Sequence, residues 1–541
     1  MTTTARQQRF ETLVGRPFDA LIIGGGITGA GIAWQLARHG VKTALVEQGD
    51  YASGTSSRSS KLIHGGFRYL PHGEIRLIRH VSRERTRLAH LMPHLIQPLA
   101  MTIPAYHDGP FSLKTLAMGV WLYDHLSHTE KSLSHHRLSI QEVAARTPGI
   151  AIPHLSGGIS YFEFSGHDAR INWSVIHTAQ ALGAFTMNYV FADLPQSLLK
   201  PDGISQILVH DRLSGRTGHI LARIVVNAAG PWADHLDPSQ HLVRSRGVHL
   251  VFARQRFPLT HATILPTPEN ANIFAVPRGP VTYLGTTDQP DTGSIDSPSL
   301  PIDDVRYLLQ IANHLFPQAS LKLNDIIAAW SGMRPLVAQD VLKKTDRLSR
   351  RDMIVVKPSL ITVLGGKFTG FRATAESVAR TVLEMLGGTT LAPVAEFITA
   401  APSPGQIPEL LETLRNTHHV TKSTAHSLVE RYGLDSLQLL EWARETHQEI
   451  DPIMNGIPLL GVEVSWAILR EEAVSLADIL IRRTGLAWLG GIPPEKMEEL
   501  MMRVADRMRT ILSWDADEIQ RQVQDCHQTS YLTDVLRWRE S

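Results

Sequence analysis

Three features of the sequence predict an α/β fold that opens on a Rossmann-like unit, with an all-helical segment at its end. An apolar run at 18–23 (FDALII) leads directly into GGGITG and then into a stretch of helical composition. A second β-rich run, 41–46 (VKTALV), closes this into a compact βαβ unit. Past Pro408 the composition turns helical, with Met497, Leu500, Val504, Met508 and Ile511 recurring at threes and fours. At 541 residues the chain exceeds what one hydrophobic core normally serves, so two or three domains are expected.

In order along the chain, Phe18 to Ile23 reads as a short buried strand and Ala30 to Arg38 as a helix stopped by His39 and Gly40. Val41 to Val46 then forms a second strand ending at Glu47. Residues 20–37 carry no formal charge and approach the length of a membrane helix, but their glycine cluster points to a strand, a turn and a helix instead. A hydroxyl-rich loop, SGTSSRSSK at 53–61, precedes a glycine loop, LIHGGFRYL at 62–70. From Glu74 to Met92 the apolar residues Ile75, Ile78, Val81, Leu88 and Met92 follow helical spacing, which Pro93 ends. The middle of the chain is mixed. VVNAAGPW at 225–232 and YLGTTD at 283–288 read as apolar strands running into turns. AAWSGMRPL at 328–336 and ITVLGGKFTGFR at 361–372 repeat that design, the second opening a helix through 373–386. Pro402, Pro404, Gly405 and Pro408 mark a linker.

Composition narrows the function classes. Fifty-three Lys and Arg against 52 Asp and Glu give a net charge of +1, which disfavours nucleic acid as a partner. One cysteine, Cys526, cannot form an intramolecular disulfide, and the start of the chain has no secretory h-region, so a reducing cytoplasmic setting is expected. The histidine pairs His135-His136 and His418-His419 lack cysteine or carboxylate patterns, so no metal site is expected.

The strongest chemical signal is Gly24-x-Gly26-x-x-Gly29 between a strand and a helix, with Glu47 at the end of the next strand. Gly24 permits the tight turn, Gly26 lets the backbone approach a pyrophosphate, and Gly29 lets the helix pack closely. Ile27 and Thr28 open the helix whose free N–H groups would meet the phosphates, and the Glu47 carboxylate can accept from a ribose hydroxyl. FAD and NAD share this fingerprint. Its position at the N-terminus and the loop hydroxyls of Ser56, Ser57, Ser59 and Ser60 favour FAD. The same four serines also fit a solvated surface loop.

Taken together, GGGITGAGIA, GTSSRSSKLIHGGFRYL, VVNAAGPWAD, GTTD, SGMRPL, LGGKFTGFRATAE and AVSLADILIRRTGLA closely resemble the FAD-dependent glycerol-3-phosphate dehydrogenases, over about 18–488. The resemblance implies an FAD-binding domain of glutathione-reductase or D-amino-acid-oxidase type, assembled from 17–95, 166–245 and 331–395. It implies an antiparallel-sheet substrate domain from 96–165 and 246–330, and a helical C-terminal domain over 405–541. Further cofactor contacts are expected from Lys61, Gly65, Gly66, Ala229, Gly230, Gly366, Lys367, Phe368 and Thr369. The implied substrate binders are Arg68, Tyr69, Arg334, Arg351 and Lys367; a fork of guanidinium groups suits a phosphomonoester dianion.

The implied reaction is oxidation of sn-glycerol 3-phosphate to dihydroxyacetone phosphate, with hydride passing to flavin N5. His64 and His249 are candidates for the base, and Arg334 for electrostatic stabilisation of a developing alkoxide. A quinone is the expected electron acceptor, at a peripheral site on the cytoplasmic face of a membrane, and a homodimer is a further expected association. The apolar segment 113–126 and the terminal LRWRE with Trp538 are the candidates for membrane contact. The competing readings are another polyol phosphate such as an erythritol phosphate, an oxygen-using oxidase, and a flavin-binding scaffold without turnover.

Overall fold

The computed structural model describes residues 3–195, 199–200, 203–267, 272–337, 353–388 and 393–540. Two sheets organise them. In the first, the strands Leu360–Leu364, Thr217–Asn227, Pro17–Ile23, Thr43–Val46 and Phe185–Met187 lie side by side in parallel. Parallel sheets are covered on both faces, and the alternation of side chains sorts these strands accordingly. Ile22, Val226 and Val363 pack beneath the helices Ile27–Arg38, Asp168–Ala181 and Phe371–Met385. Leu21, Val225 and Leu360 face the other way. There they meet Phe10 and Leu13 of the helix Thr3–Val14. Arg6 of that helix pairs with buried Asp211 at 2.6 Å.

The second sheet is antiparallel apart from one parallel contact, between Ala262–Pro266 and Ile96–Tyr106. Its longest pairings join Ile96–Tyr106 to Leu155–Gly166 and Leu242–Ala253 to Ile326–Val337. The last strand corrects one expectation. Gly332 and Pro335 mark no turn, and the strand runs unbroken through the proposed domain boundary at 330/331. Among the described residues it pairs on one side alone, an edge position of the kind where strands accommodate proline. Gly332 is needed there because a Cβ would press on the Arg58 backbone. Likewise Leu242–Ala253 crosses the boundary proposed at 245/246.

From Gln406 onward the chain is helical, with a π-helical turn at Asp478–Arg483. These helices do not build a wholly separate core. Trp488, Ile479, Leu480, Met501 and Met508 join the cluster formed by Val248, Leu250, Trp330 and Tyr283 of the second sheet. Trp538 is buried in that same cluster and presents no ring to a membrane, which removes the C-terminal LRWRE as a contact candidate. Cys526 is buried too. Among the described residues, no helix is long and apolar enough to cross a membrane.

Candidate functional site

A cavity of about 480 Å³ runs from the glycine turn of the first sheet to the inner face of the second. Its first end is built by the turn after Pro17–Ile23. Gly24 holds φ +114° and a Cβ there would strike the Ala228 carbonyl, so glycine is required at this position. Gly26 caps the helix Ile27–Arg38, and Gly24, Gly26, Ile27 and Thr28 all line the cavity. Gly29 lies behind the wall, where a Cβ would collide with the Gly24 carbonyl. The Glu47 carboxylate accepts from Gly25 N–H at 2.6 Å and Gly49 N–H at 2.9 Å, each oxygen keeping capacity for a further donor. Burial raises its pKa and these two N–H groups act against that. Helix N-terminus, glycine cradle and lining carboxylate fit a dinucleotide such as FAD on geometry alone.

Of the four loop serines expected at a pyrophosphate, Ser56, Ser59 and Ser60 line the cavity and Ser57 does not. Ser56 Oγ accepts from Ile27 N–H at 2.9 Å, at the mouth of the helix. Ser57 is buried with its Oγ turned off the cavity. Ser59 Oγ donates to Asp168 at 2.7 Å, and Ser60 Oγ sits 2.9 Å from His249 Nε2. Lys61, expected at the cofactor, is instead buried behind the wall. Its Nζ reaches Asp168 at 2.8 Å and lies over the rings of Trp330 and Trp488. Burial lowers its pKa although Asp168 favours the charge. Ser59 and Lys61 share one cause: Asp168, at the start of the helix Asp168–Ala181, accepts from both.

The far end of the cavity gathers His64, His249, Arg334, Ala229, Gly230 and the loop Gly365 to Thr369, which includes Gly366, Lys367 and Phe368. Arg334 is held by Asp288 at 3.2 Å, by the Thr287 carbonyl at 3.1 Å and by Thr286 Oγ1 at 2.8 Å. Asp288 is itself hydrogen-bonded by Ser245 Oγ. His249 stacks on Trp330 with centroids 4.6 Å apart, and its Nδ1 is buried without a partner among the described residues. Burial first, then Arg334 and Lys61, hold its pKa well below the ordinary histidine range, so the ring is neutral. Lys367 Nζ lies 3.7 Å from the centroid of buried Tyr69. Tyr69, Gly65 and Gly66 stand behind the wall, and Gly65 N–H donates to Glu163 at 3.0 Å. Arg351 and the side chain of Arg68 lie outside the described residues.

Several contributors escaped sequence reasoning. Arg58 and Trp232 line the cavity, Glu163 anchors the His64 loop, and Asp288 anchors Arg334. GTTD was read as a turn, and an acid ending such a turn was the available signal for Asp288. Glu163 had no local signal, since its partners Arg85, Tyr123 and Gly65 are far apart in sequence.

Comparison with known proteins agrees with this architecture. The family described as FAD dependent oxidoreductase matches residues 19–380, and the C-terminal domain of alpha-glycerophosphate oxidase matches 383–519. The aerobic glycerol-3-phosphate dehydrogenase of Bacillus subtilis is 32% identical over 509 residues, 89% of either chain. That of Staphylococcus aureus strain USA300 is 33% identical over 506 residues, 90% of either chain. A crystal structure of the glycerol-3-phosphate dehydrogenase from Bacillus halodurans complexed with FAD superposes with a TM-score of 0.79 at 27% identity, covering 97% of both chains. The L-alpha-glycerophosphate oxidase of Mycoplasma pneumoniae shares the fold, with a TM-score of 0.55 at 19% identity over 71% of this chain and 98% of the other. With a glycine cradle, a cation-lined far end and family matches over nearly its whole length, the chain belongs to the FAD-dependent oxidoreductase family that includes the aerobic glycerol-3-phosphate dehydrogenases.

Proposed function

We propose that the chain oxidises the secondary alcohol of sn-glycerol 3-phosphate to dihydroxyacetone phosphate. One observation carries this reading: a single cavity joins the Gly24 and Glu47 cradle to a far end lined by Arg334, Lys367, His64 and His249. FAD, when bound, supplies the hydride acceptor at N5. Gly24, Gly26, Ile27, Thr28, Glu47 and Ser56 would hold its adenosine diphosphate half. Ala229, Gly230 and the 365–369 loop would adjoin the flavin. Arg334 and Lys367 offer positive charge to the substrate phosphate, with Arg68 and Arg351 assigned to the same task from the sequence. The alcohol proton needs an acceptor as the hydride leaves, and His249 and His64, both lining the far end of the cavity, are the imidazoles placed to take it. Asp288 keeps Arg334 in one orientation before substrate arrives, which lowers the ordering cost of binding. The three flavin-domain segments and the two substrate-domain segments are assigned as the sequence places them, except that the paired strands Leu242–Ala253 and Ile326–Val337 of the second sheet extend the second substrate segment from Leu242 to Val337.

Anaerobic addition of glycerol 3-phosphate to the purified holoprotein tests the reading: flavin absorbance near the visible maximum should bleach. No bleaching with glycerol 3-phosphate, but bleaching with erythritol phosphate, would transfer the reaction to the longer polyol. Peroxide formed in step with substrate in air would replace the quinone by oxygen as acceptor.

Electron delivery to a quinone puts the protein at a lipid surface, and the helix Leu113–Ser127 supports that placement. Met118 is 66% exposed and Trp121 57%, and Phe111, just before the helix, 43%. The neighbouring helix Ile75–Leu91 exposes Arg76, Arg79 and Arg83. An apolar, aromatic face next to a row of arginines suits an anionic bilayer.

A further inference from the structure

The C-terminal motif LADILIRRT has no part in the chemistry above, yet both of its arginines are buried, Arg483 almost completely. They reach out of the helical domain to one acid of the flavin domain. Arg482 Nε lies 2.6 Å from Asp50 Oδ2, and Arg483 grips both Asp50 oxygens at 2.7 and 2.9 Å. Asn188 Nδ2 adds a fourth donor at 3.1 Å. Arg483 also donates to the Glu471 carbonyl at 2.7 Å and lies over the Trp173 ring, while Asp478 accepts from Arg482 and from Tyr189 Oη.

Asp50 stands three residues beyond Glu47, within the loop that forms the ribose end of the cavity. That loop is tied on both sides of Asp50. Glu47 carbonyl accepts from Val190 N–H at 2.7 Å, Gly49 carbonyl accepts from Tyr189 N–H at 2.8 Å, and Ala52 N–H donates to Gly25 at 3.2 Å. Tyr51, which packs on Gly25, donates to Glu472 at 3.0 Å. The segment 471–483 therefore supports the middle of the loop whose first residue faces the cavity. Burying so many charges has a large desolvation cost, so the cluster is weak evidence of added stability, while its paired geometry holds Asp50 in one place. A π-helical turn brings Arg482 and Arg483 to the same carboxylate.

We propose that Arg482 and Arg483 are positioning residues that act through Asp50 on the Glu47 loop, so that docking of the C-terminal helices and binding of the adenosine half of the cofactor are coupled. The proposal rests on the FAD reading. Coupling is reciprocal: if the docked helices favour the cofactor, the cofactor favours docking by the same factor. The route through Asp50 reaches the ribose end of the cavity, where Glu47 stands.

The test uses the full-length apoprotein, wild type and Asp50→Asn, titrated with FAD and with FMN, which lacks the adenosine half. Asp50→Asn should weaken FAD at least about tenfold and leave FMN within about twofold. Equal loss of both ligands, or no loss of FAD, overturns the proposal. Should Asp50→Asn fail to fold, hydrogen exchange on the wild type decides. FAD should slow exchange across 471–484 while FMN does not, and equal protection by both refutes the coupling. A wild-type protein that binds neither flavin would instead defeat the FAD reading itself.

Discussion

At the scale of single residues, the site is made of groups whose partners are fixed before any ligand arrives. Arg334 is oriented by Asp288, Thr286 and the Thr287 carbonyl, which makes it a preorganised cation rather than a mobile one. Arg334→Ala should lower kcat/KM for glycerol 3-phosphate by roughly 2 to 5 kcal/mol, since it strands a dianion in a partly closed cavity. Unchanged kinetics would remove Arg334 from the substrate site. Gly26→Val should purify without flavin: the space a Cβ would take is bordered by Ser56 Oγ at 3.1 Å, and the larger side chain must project toward the phosphates. Absorbance of the purified variant reads this directly, and a fully yellow protein would refute the cradle assignment. These positions were legible because a glycine turn and the acid after the next strand act locally. Lys61 was misread because its partner Asp168 is remote in sequence, and no neighbouring residue signals that a lysine will be pulled inward.

At the scale of elements, local patterns were sufficient wherever the hydrophobic period was strong. The strand Pro17–Ile23 and the helices Ile27–Arg38 and Ile75–Leu91 lie close to where periodicity puts them. The strand Ile326–Val337 was cut short because glycine and proline usually punctuate, and its edge position, invisible in the sequence, is what tolerates them. The helix Leu113–Ser127 has two faces: Val120 and Tyr123 are buried while Met118 and Trp121 face outward. Replacing Met118 and Trp121 together with serine should abolish sedimentation with anionic vesicles while leaving flavin reduction by substrate intact. If the double variant still sediments as the wild type does, this face is not the contact.

At the scale of the whole molecule, acid sensitivity follows from a buried histidine at the junction of flavin and helical domains. His94 is 3% exposed, and burial, followed by Arg170, brings its pKa down to about 3 from an ordinary 6.5. The unfolded chain takes up a proton below 6.5 that the folded one refuses, so stability falls as pH drops through that value. Between pH 7 and 5 this group alone withdraws about 2 kcal/mol. His94→Gln should therefore show a smaller fall in Tm over that interval, and parallel curves would discount the assignment. The apolar cluster shared by the second sheet and the C-terminal helices has a different consequence, one of heredity. The two matched families meet between residues 380 and 383, but the object does not divide there. Trp330 backs His249 on one side and packs on Trp488 on the other. A recombinant that took its first 380 residues from one relative and its tail from another would inherit two halves of one wall, and would fold only if both parents had kept the same join.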